Sequence, residues 1–153
     1  MQTQHHLPQS DKTLPLISFI ITYYNEPIDM IKKCIDSILK LTLSAEEREI
    51  IVIDDGSDNS PLNLLAEIAN QMIYIRQPNQ VLSQARNTGI AMAKGQYIQF
   101  IDADDFLISG NYDKCLDFIR FKDADIVLFD FATKDTSNIQ FANNEVVSGT
   151  EYM

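Results

Sequence analysis

The chain has 153 residues, a length that fits one domain with a buried core. Its 45% hydrophobic and 22% charged residues are typical of a folded globular protein and exclude a disordered one. The net charge of −10 argues against a nucleic-acid partner, because binding a phosphate backbone requires clustered lysines and arginines.

Residues 1–15 are polar, contain no apolar signal sequence and are expected to form a flexible tail. His5-His6 lies within this tail and is too short and too peripheral to suggest a metal site. The β-branched apolar run Leu16–Thr22 predicts the first buried strand. It includes the longest apolar stretch and is far shorter than the ~20 residues that span a bilayer, so we expect no transmembrane segment.

A helix is predicted after Asn25-Glu26-Pro27, where apolar residues recur three and four positions apart from Ile28 to Leu41. Glu49–Ile53 predicts a second strand. Ser60-Pro61 predicts the start of another helix, with serine as N-cap and proline at the first helical position. The apolar stripe of that helix would be Leu62, Leu65 and Ile68.

Strands and helices continue to alternate through the second half of the chain. The remaining predictions are a strand at Met72–Arg76, a polar loop at Gln77–Gln80, a helix from about Ser83 to Ala93 closed by Gly95, a buried strand at Tyr97–Ile101, a helix at Tyr112–Phe121 and a fifth strand at Ile126–Phe131. This order predicts an α/β fold whose mostly parallel sheet is covered by helices on both faces. The pattern weakens after Thr133, and we expect the chain to be truncated from a longer protein.

The two cysteines, Cys34 and Cys115, lie far apart on predicted helices. They have neither metal-ligand spacing nor a disulfide pattern, so we expect two core residues and a cytoplasmic protein.

Three predicted strands end in polar segments, which are Thr22–Glu26, Asp54–Ser57 and Asp102–Asp105. Ligands of open parallel sheets bind beyond the carboxyl ends of the strands, so these segments are expected to converge. Crowded carboxylates repel one another unless a cation or hydrogen-bond donors compensate. Mg²⁺ and Mn²⁺ prefer oxygen ligands and often bind one or two carboxylates together with substrate phosphates.

Each segment alone is a weak signal. Asp54–Ser57 is also favourable turn chemistry, Thr22–Glu26 also fits a simple loop before a helix, and Arg86 also fits a surface salt bridge. The run Asp102–Asp105 favours a functional interpretation, because helix capping would need one carboxylate and this run has three.

Taken together, four segments resemble the family 2 inverting glycosyltransferases of GT-A fold, which is Rossmann-like. They are Phe19–Glu26 (FIITYYNE), Val52–Ser57 (VIDDGS), Ala85–Gly89 (ARNTG) and Phe100–Asp105 (FIDADD). Their order and spacing are kept from about Leu16 to Ile108. One departure is the pair Gln80-Val81, where many relatives have glycine at the second position, which leaves the backbone shape of this loop open.

The resemblance implies a role for each matching position. Thr22, Tyr24 and Glu26 would line the nucleoside pocket, Asp55 would accept a hydrogen bond from the base, usually uracil, and Arg86 would lie near the nucleotide. Asp102 and Asp104 match the DXD motif, whose carboxylates contact the ribose and hold Mn²⁺ or Mg²⁺ on the diphosphate. Asp105 is the metal ligand in some relatives, so the division of the metal among the three carboxylates stays open.

The function implied is transfer of a sugar from a nucleotide-diphospho-sugar, UDP-linked, to a hydroxyl of a glycan or lipid-linked acceptor, with inversion, in polysaccharide or glycan biosynthesis. Residues 16–132 would be the donor-binding domain and residues 133–153 the incomplete start of an acceptor-side region. The full-length protein would work in the cytoplasm at the inner face of the membrane. A homo-oligomer is left open.

An inverting transfer needs a general base, which the resemblance puts in the acceptor-binding half beyond Met153. Asp130 and Asp135 fit strand-end or surface residues better. We therefore expect this chain to bind a donor nucleotide but to transfer sugar poorly or not at all, which robust turnover by these 153 residues would contradict.

Three alternative functions also fit parts of the sequence. A receiver-type phosphoacceptor domain would use Asp54-Asp55, Asp102 and Lys134, but its acidic pair follows the first strand, whereas here it follows the second. A nucleotidyltransferase would need a glycine-rich, basic phosphate loop near the first strand, which the sequence does not have. The third alternative is a non-catalytic nucleotide-sugar-binding or interaction module.

Overall fold

The computed structural model describes residues 14–63, 65–122 and 124–129, which form an α/β fold. Four parallel strands lie at Ile17–Tyr23 (β1), Arg48–Asp54 (β2), Ile73–Arg76 (β3) and Tyr97–Asp102 (β4). Three α-helices of this part lie at Ile28–Leu39 (α1), Val81–Met92 (α2) and Ser109–Phe121 (α3). The predicted parallel sheet flanked by helices is confirmed.

Strand β1 lies at the centre of the core, and all seven of its residues are buried. Phe19 and Ile21 pack in one apolar cluster with α1 and α3, while Ile20 packs in a second cluster with Ala85 of α2. Neighbouring residues of a strand point to opposite faces, so the apolar run buries both faces of the sheet at once. Each fully buried isoleucine or phenylalanine of this kind contributes roughly 1.5–3 kcal/mol.

The strand order is β3-β2-β1-β4, so the chain changes direction across the sheet between β1 and β4. Thr22 at the end of β1 lies opposite Asp102 at the end of β4. In open α/β sheets ligands bind at such a reversal point. In a receiver-type sheet the first strand lies between the second and the third. Here the first strand lies between the second and the fourth, so the receiver interpretation is wrong.

The helix predicted from Ser60-Pro61 is wrong in part: a helical turn does begin at Pro61, with Ser60 Oγ accepting from the Leu62 amide over 3.3 Å, but no α-helix follows. The segment instead forms two short 3₁₀ helices, Pro61–Asn63 and Ala66–Gln71. Of the predicted apolar stripe only Leu65 is fully buried, whereas Leu62 is 42% exposed. A helix in water depends on burying a continuous apolar face, and one buried leucine does not supply it.

Several predicted boundaries also differ. Helix α1 ends at Leu39, although Leu41 is still buried beyond it, and α2 begins at Val81, two residues before the predicted start. Gly95 does not close α2, which ends at Met92. It lies instead against β1, as discussed below.

The prediction of a buried fourth strand is wrong in part. Ile101 of β4 is buried, but Ile98 and Phe100 are 42% and 37% exposed. The reason is position, since β4 is an edge strand in the described part of the chain and Ala85 of α2 packs on β1 and β2. The fifth strand is also wrong where it can be checked, because residues 126–129 are not in a strand.

Both cysteines are free and buried, Cys34 on α1 and Cys115 on α3, as predicted. No helix among the described residues is long and apolar enough to cross a membrane. The predictions for residues 1–13, including His5-His6, and for residues 130–153, including Asp130, Lys134 and Asp135, lie outside the described residues.

Candidate functional site

The site is built around Asp102, at the point where the strand order reverses. Thr22 Oγ1 donates a hydrogen bond to Asp102 Oδ1 over 3.2 Å, and Arg86 Nη2 lies 3.0 Å from the same oxygen. Arg86 reaches across from α2 over the ring of Phe100, with 5.7 Å between the guanidinium carbon and the ring centroid. Three of the residues singled out in the sequence thus meet at one carboxylate.

The other carboxylates of the acidic run lie in a turn just after β4. The turn is closed by the Asp105 amide, which donates to the Asp102 carbonyl over 2.9 Å, and both Asp104 and Asp105 are exposed. Desolvation by the neighbouring protein atoms, followed by the charges of Asp104 and Asp102, raises the pKa of Asp105 even though its side chain reaches solvent. Burial and then these three carboxylates raise the pKa of the Cys34 thiol to about 12. The edge therefore carries a concentrated negative charge.

The described residues contain no group of three or more histidines, cysteines or acidic residues arranged to hold a metal ion. Asp102, Asp104 and Asp105 therefore do not form a closed protein cage. Mg²⁺ does not require one, because it is commonly held by one or two carboxylates together with substrate phosphates and water. An all-oxygen donor set whose members repel one another fits a hard divalent cation.

Asp55 lies at the end of β2 and is 4% exposed. Its Oδ1 accepts two hydrogen bonds, from Gln77 Nε2 over 2.7 Å and from the Gln80 amide over 3.0 Å. The next residue, Gly56, has φ of +83°, and a Cβ there would lie 2.7 Å from the Asn79 nitrogen. Glycine is therefore required to bring the loop after β2 against the loop after β3.

The loops after β1 and β2 are tied together through Asn25. Its amide donates to Ser57 Oγ over 3.0 Å, and its Oδ1 accepts from the Asp58 amide over 2.8 Å. Asn25 has φ of +58°, a conformation that asparagine tolerates better than most residues. Tyr24 and Glu26, predicted to line the nucleoside pocket, flank this contact, but their side chains form no hydrogen bond within the described part of the chain. Tyr24 is 49% exposed.

A buried network beneath these loops was not predicted from the sequence, where Asp54 belonged to the polar segment after the second strand but had no structural role of its own. Asp54 is fully buried, and its two oxygens accept from the Ser57 amide over 2.8 Å and from Tyr74 Oη over 2.5 Å. Burial, then the bond to Asp54, raises the pKa of Tyr74 to about 12. Arg76 Nε lies 3.8 Å from Asp54, and its Nη2 donates to the Ser57 carbonyl over 2.6 Å. In the sequence, the polar side chains at alternate positions of β3, Tyr74 and Arg76, could have indicated this network.

Gln77 and Thr88 were also missed as site residues. Gln77 had been placed in a polar loop, yet its side chain links Asp55 to Thr88 on α2. Its position directly after β3, at the same edge as the other polar segments, could have revealed it.

The backbone at Val81 resolves the question left by the departure from glycine. Val81 has φ of +65°, so the loop keeps a left-handed conformation without the residue that favours it. For a β-branched residue this conformation is rare, and it costs on the order of 1–3 kcal/mol.

We expect Val81→Gly to raise the free energy of unfolding by about 1 kcal/mol, since relief of this strain exceeds the added chain entropy of glycine. Val81 is 65% exposed, so little apolar burial is lost. Val81→Ala is the control, because it keeps a Cβ and most of the strain. Chemical denaturation of the three proteins measures the effect, and equal stability of the glycine and alanine variants would contradict it.

A groove of about 350 Å³ lies elsewhere, between β4, α3 and residues 125–129. It includes Ile17 and Tyr97, which begin their strands, so it faces the amino ends of β1 and β4. Ligands of parallel sheets bind at the opposite ends, so we place the functional site at Asp102 and Asp55.

Comparison with known proteins identifies the family of the chain. The model of the family described as "Glycosyl transferase family 2" matches residues 18–150. The chain belongs to this family. It is 40% identical over 118 residues to the "Uncharacterized glycosyltransferase EpsJ" of Bacillus subtilis, covering 74% of this chain and 33% of that protein. It is 36% identical over 117 residues to the poly(ribitol-phosphate) beta-glucosyltransferase of Bacillus spizizenii, covering 73% and 18%.

Solved structures of glycosyltransferases share the fold of this family member. The S. aureus TarS 1-349 structure in complex with UDP-GlcNAc has a TM-score of 0.58 at 23% identity, over 68% of this chain and 31% of that one. The mannosyltransferase PcManGT of Pyrobaculum calidifontis, in complex with GDP-Man and Mn²⁺, has a TM-score of 0.63 at 19% identity, over 73% and 34%. The chain thus spans about a third or less of each of these proteins.

Proposed function

We propose that this chain binds the nucleotide-sugar donor of an inverting, metal-assisted glycosyltransferase. The whole protein would transfer the sugar of a UDP-linked donor to an acceptor hydroxyl in polysaccharide or glycan biosynthesis. The observation that carries the proposal is the meeting of Thr22, Arg86 and Asp102 within 3.2 Å at the reversal of strand order. Family membership and the fold shared with nucleotide-sugar complexes support it.

The nucleoside end of the donor is assigned to the loops after β1 and β2. Asp55 would accept a hydrogen bond from the base, and Thr22, Tyr24 and Glu26 would line the pocket around it. The tie between Asn25 and Ser57 supports this assignment, because it joins these two loops into one wall. Prior ordering of the wall reduces the entropy lost when a ligand binds.

The diphosphate end is assigned to Asp102, Asp104 and Asp105, which would hold Mn²⁺ or Mg²⁺. Such an ion, when bound, supplies positive charge to the leaving diphosphate. Arg86 supplies a cation of the protein at this end, and its contact with Asp102 fixes the orientation of both side chains. In a chain of net charge −10, this arginine and the bound ion would offset the repulsion between the acidic edge and the phosphates.

The rest of the proposal concerns the whole protein. Residues 16–132 would form the donor-binding part, and residues 133–153 would begin the part that binds a glycan or lipid-linked acceptor. The general base would belong to that acceptor-binding part. The two free, buried cysteines support a reducing, cytoplasmic setting. The whole protein would work there at the inner face of the membrane.

Metal-dependent binding of UDP tests the proposal. By isothermal titration calorimetry with Mn²⁺, we expect Asp104→Asn to weaken UDP binding about tenfold or more, since the metal loses a charged carboxylate ligand. A chelator should weaken binding to the wild type to a similar extent.

The matched control is Asp117→Asn on α3, which also removes one exposed aspartate charge but lies on another element. Its UDP affinity should equal that of the wild type. UDP binding that is insensitive both to the chelator and to Asp104→Asn would refute the assignment of the metal site.

A further inference from the structure

Gln77 bridges the site and the helix behind it through both ends of its side-chain amide. Its Nε2 donates to Asp55 Oδ1 over 2.7 Å, and its Oε1 accepts from Thr88 Oγ1 over 2.7 Å. In the reversed orientation the amide oxygen would face a carboxylate, so two acceptors would oppose each other. The Asp55 carboxylate thus sets the orientation of the Gln77 amide, and the Thr88 hydroxyl, whose single proton is shared between Gln77 Oε1 and the Gln84 carbonyl 3.1 Å away, anchors the other end.

The two carboxylate oxygens of Asp55 have different hydrogen-bond partners. Oδ1 takes both the Gln77 and the Gln80 donors, whereas Oδ2 accepts no hydrogen bond from the described residues. Solvent can reach Oδ2. Among the described residues, the one side-chain nitrogen or oxygen that is both inaccessible to solvent and without a hydrogen-bond partner is Arg86 Nε, so Oδ2, which has no partner either, must be accessible. Asp55 thus presents one free acceptor from an otherwise fixed carboxylate.

We propose that Gln77, held by Thr88, is a positioning residue that makes Asp55 select the nucleobase of the donor. The inference rests on the proposed donor site and adds Gln77, which contacts Asp55, and Thr88, which contacts Gln77. A fixed, free Oδ2 favours a base with a ring N–H, such as uracil. It disfavours cytosine, whose corresponding ring nitrogen is an acceptor and would oppose the carboxylate.

A loosened Asp55 loses this discrimination by a simple mechanism. Without the Gln77 bridge Oδ1 keeps only the Gln80 amide, so the carboxylate can pivot about that one bond and the free acceptor is held less firmly in one direction. Binding to uracil then costs additional ordering, while cytosine, whose ring N3 has no proton, forms no ring N–H bond to Oδ2 in either case. The ratio of UDP to CDP affinity therefore reports on positioning, whereas a general loss of structure lowers both affinities together.

The test measures UDP and CDP binding to the 153-residue chain with Mn²⁺ by calorimetry. We expect the wild type to prefer UDP about tenfold or more, as a charge-assisted hydrogen bond allows. Gln77→Leu should lower the UDP affinity about fivefold or more and leave the CDP affinity unchanged. Thr88→Val should move the ratio in the same direction, whereas Thr88→Ser, which keeps the hydroxyl, should retain the wild-type ratio.

The outcomes separate this inference from the proposed function. A wild type that binds no UDP with Mn²⁺ would refute the donor site itself. A wild type that prefers UDP, with unchanged ratios in Gln77→Leu and Thr88→Val, would leave the donor site standing and refute the positioning role. Equal loss of UDP and CDP binding in both variants would also refute it, in favour of a purely structural role.

Discussion

Asp54→Ala is expected to lower the free energy of unfolding by about 3 kcal/mol, because it removes the acceptor from two donors at once, the buried Ser57 amide and the half-buried Tyr74 hydroxyl. The Ser57 amide would stay enclosed without a partner, and an unsatisfied buried donor costs roughly 1–3 kcal/mol. Tyr74 would lose its bond to Asp54 and keep only its contact with Ser60. Urea denaturation followed by circular dichroism measures the change.

Asp54→Asn is the matched control for this prediction. The amide keeps the shape of the side chain and an oxygen for the Ser57 amide, while its nitrogen can donate to the Tyr74 oxygen. We expect it to cost about 1 kcal/mol, since neutral hydrogen bonds are weaker than charge-assisted ones. If the alanine and asparagine variants are equally stable, the network does not hold the loop after β2.

The consequence of this network extends to the proposed donor site. Asp54 holds the Ser57 amide, and Ser57 Oγ in turn accepts from the amide of Asn25 in the loop after β1. A fully buried carboxylate thereby sets the relative position of two loops. On the other side of the site, α2 supports both ends, through Arg86 at Asp102 and through Thr88 and Gln77 at Asp55.

The parts of the fold that could be predicted are those with a strong local signal. Strand β1 is apolar at nearly every position because both of its faces are buried, and the sequence shows this directly. The α-helix predicted after Ser60 does not form. Its N-cap signal is local, whereas the burial that sustains a helix depends on the rest of the fold. The exposure of Phe100 likewise depends on the position of β4 at the sheet edge.

The candidate site follows the same division. The convergence of Thr22 and Asp102 could be predicted, because parallel strands bring their carboxyl ends to one edge. The contacts of Gln77 with Asp55 and Thr88 could not, because they join residues 22 and 11 positions apart through side-chain geometry. Tyr24 and Glu26 came from the family resemblance alone, and their roles stay predictions.

Gly95→Ala is expected to lower the free energy of unfolding by about 3 kcal/mol, because the added methyl group would overlap the main chain of a central strand. A Cβ at Gly95 would lie 2.5 Å from the Ser18 nitrogen and 2.8 Å from the Ile17 carbonyl carbon. These are backbone atoms of the fully buried strand β1, so they cannot move aside as a flexible side chain can.

The overlap would also disturb a hydrogen-bonded junction between β1, β2 and the end of α2. The Gly95 amide donates to Ser18 Oγ over 2.8 Å, and that hydroxyl donates to Glu49 Oε2 over 2.6 Å. The same carboxylate oxygen accepts from the Lys94 amide over 2.8 Å. A shift of Gly95 away from β1 would therefore stretch bonds that join three elements.

Gly110→Ala is the control for the same chemical change in open space. Gly110 lies in the exposed first turn of α3, and a Cβ there would meet no atom within 4 Å. Alanine is favoured over glycine in a helix by roughly 0.5–1 kcal/mol, so this variant should gain stability. In thermal and urea denaturation, the midpoint of Gly95→Ala should thus fall below that of the wild type, and the midpoint of Gly110→Ala should rise above it. A Gly95→Ala protein as stable as the wild type would mean that β1 and the turn after α2 do not approach as closely as described.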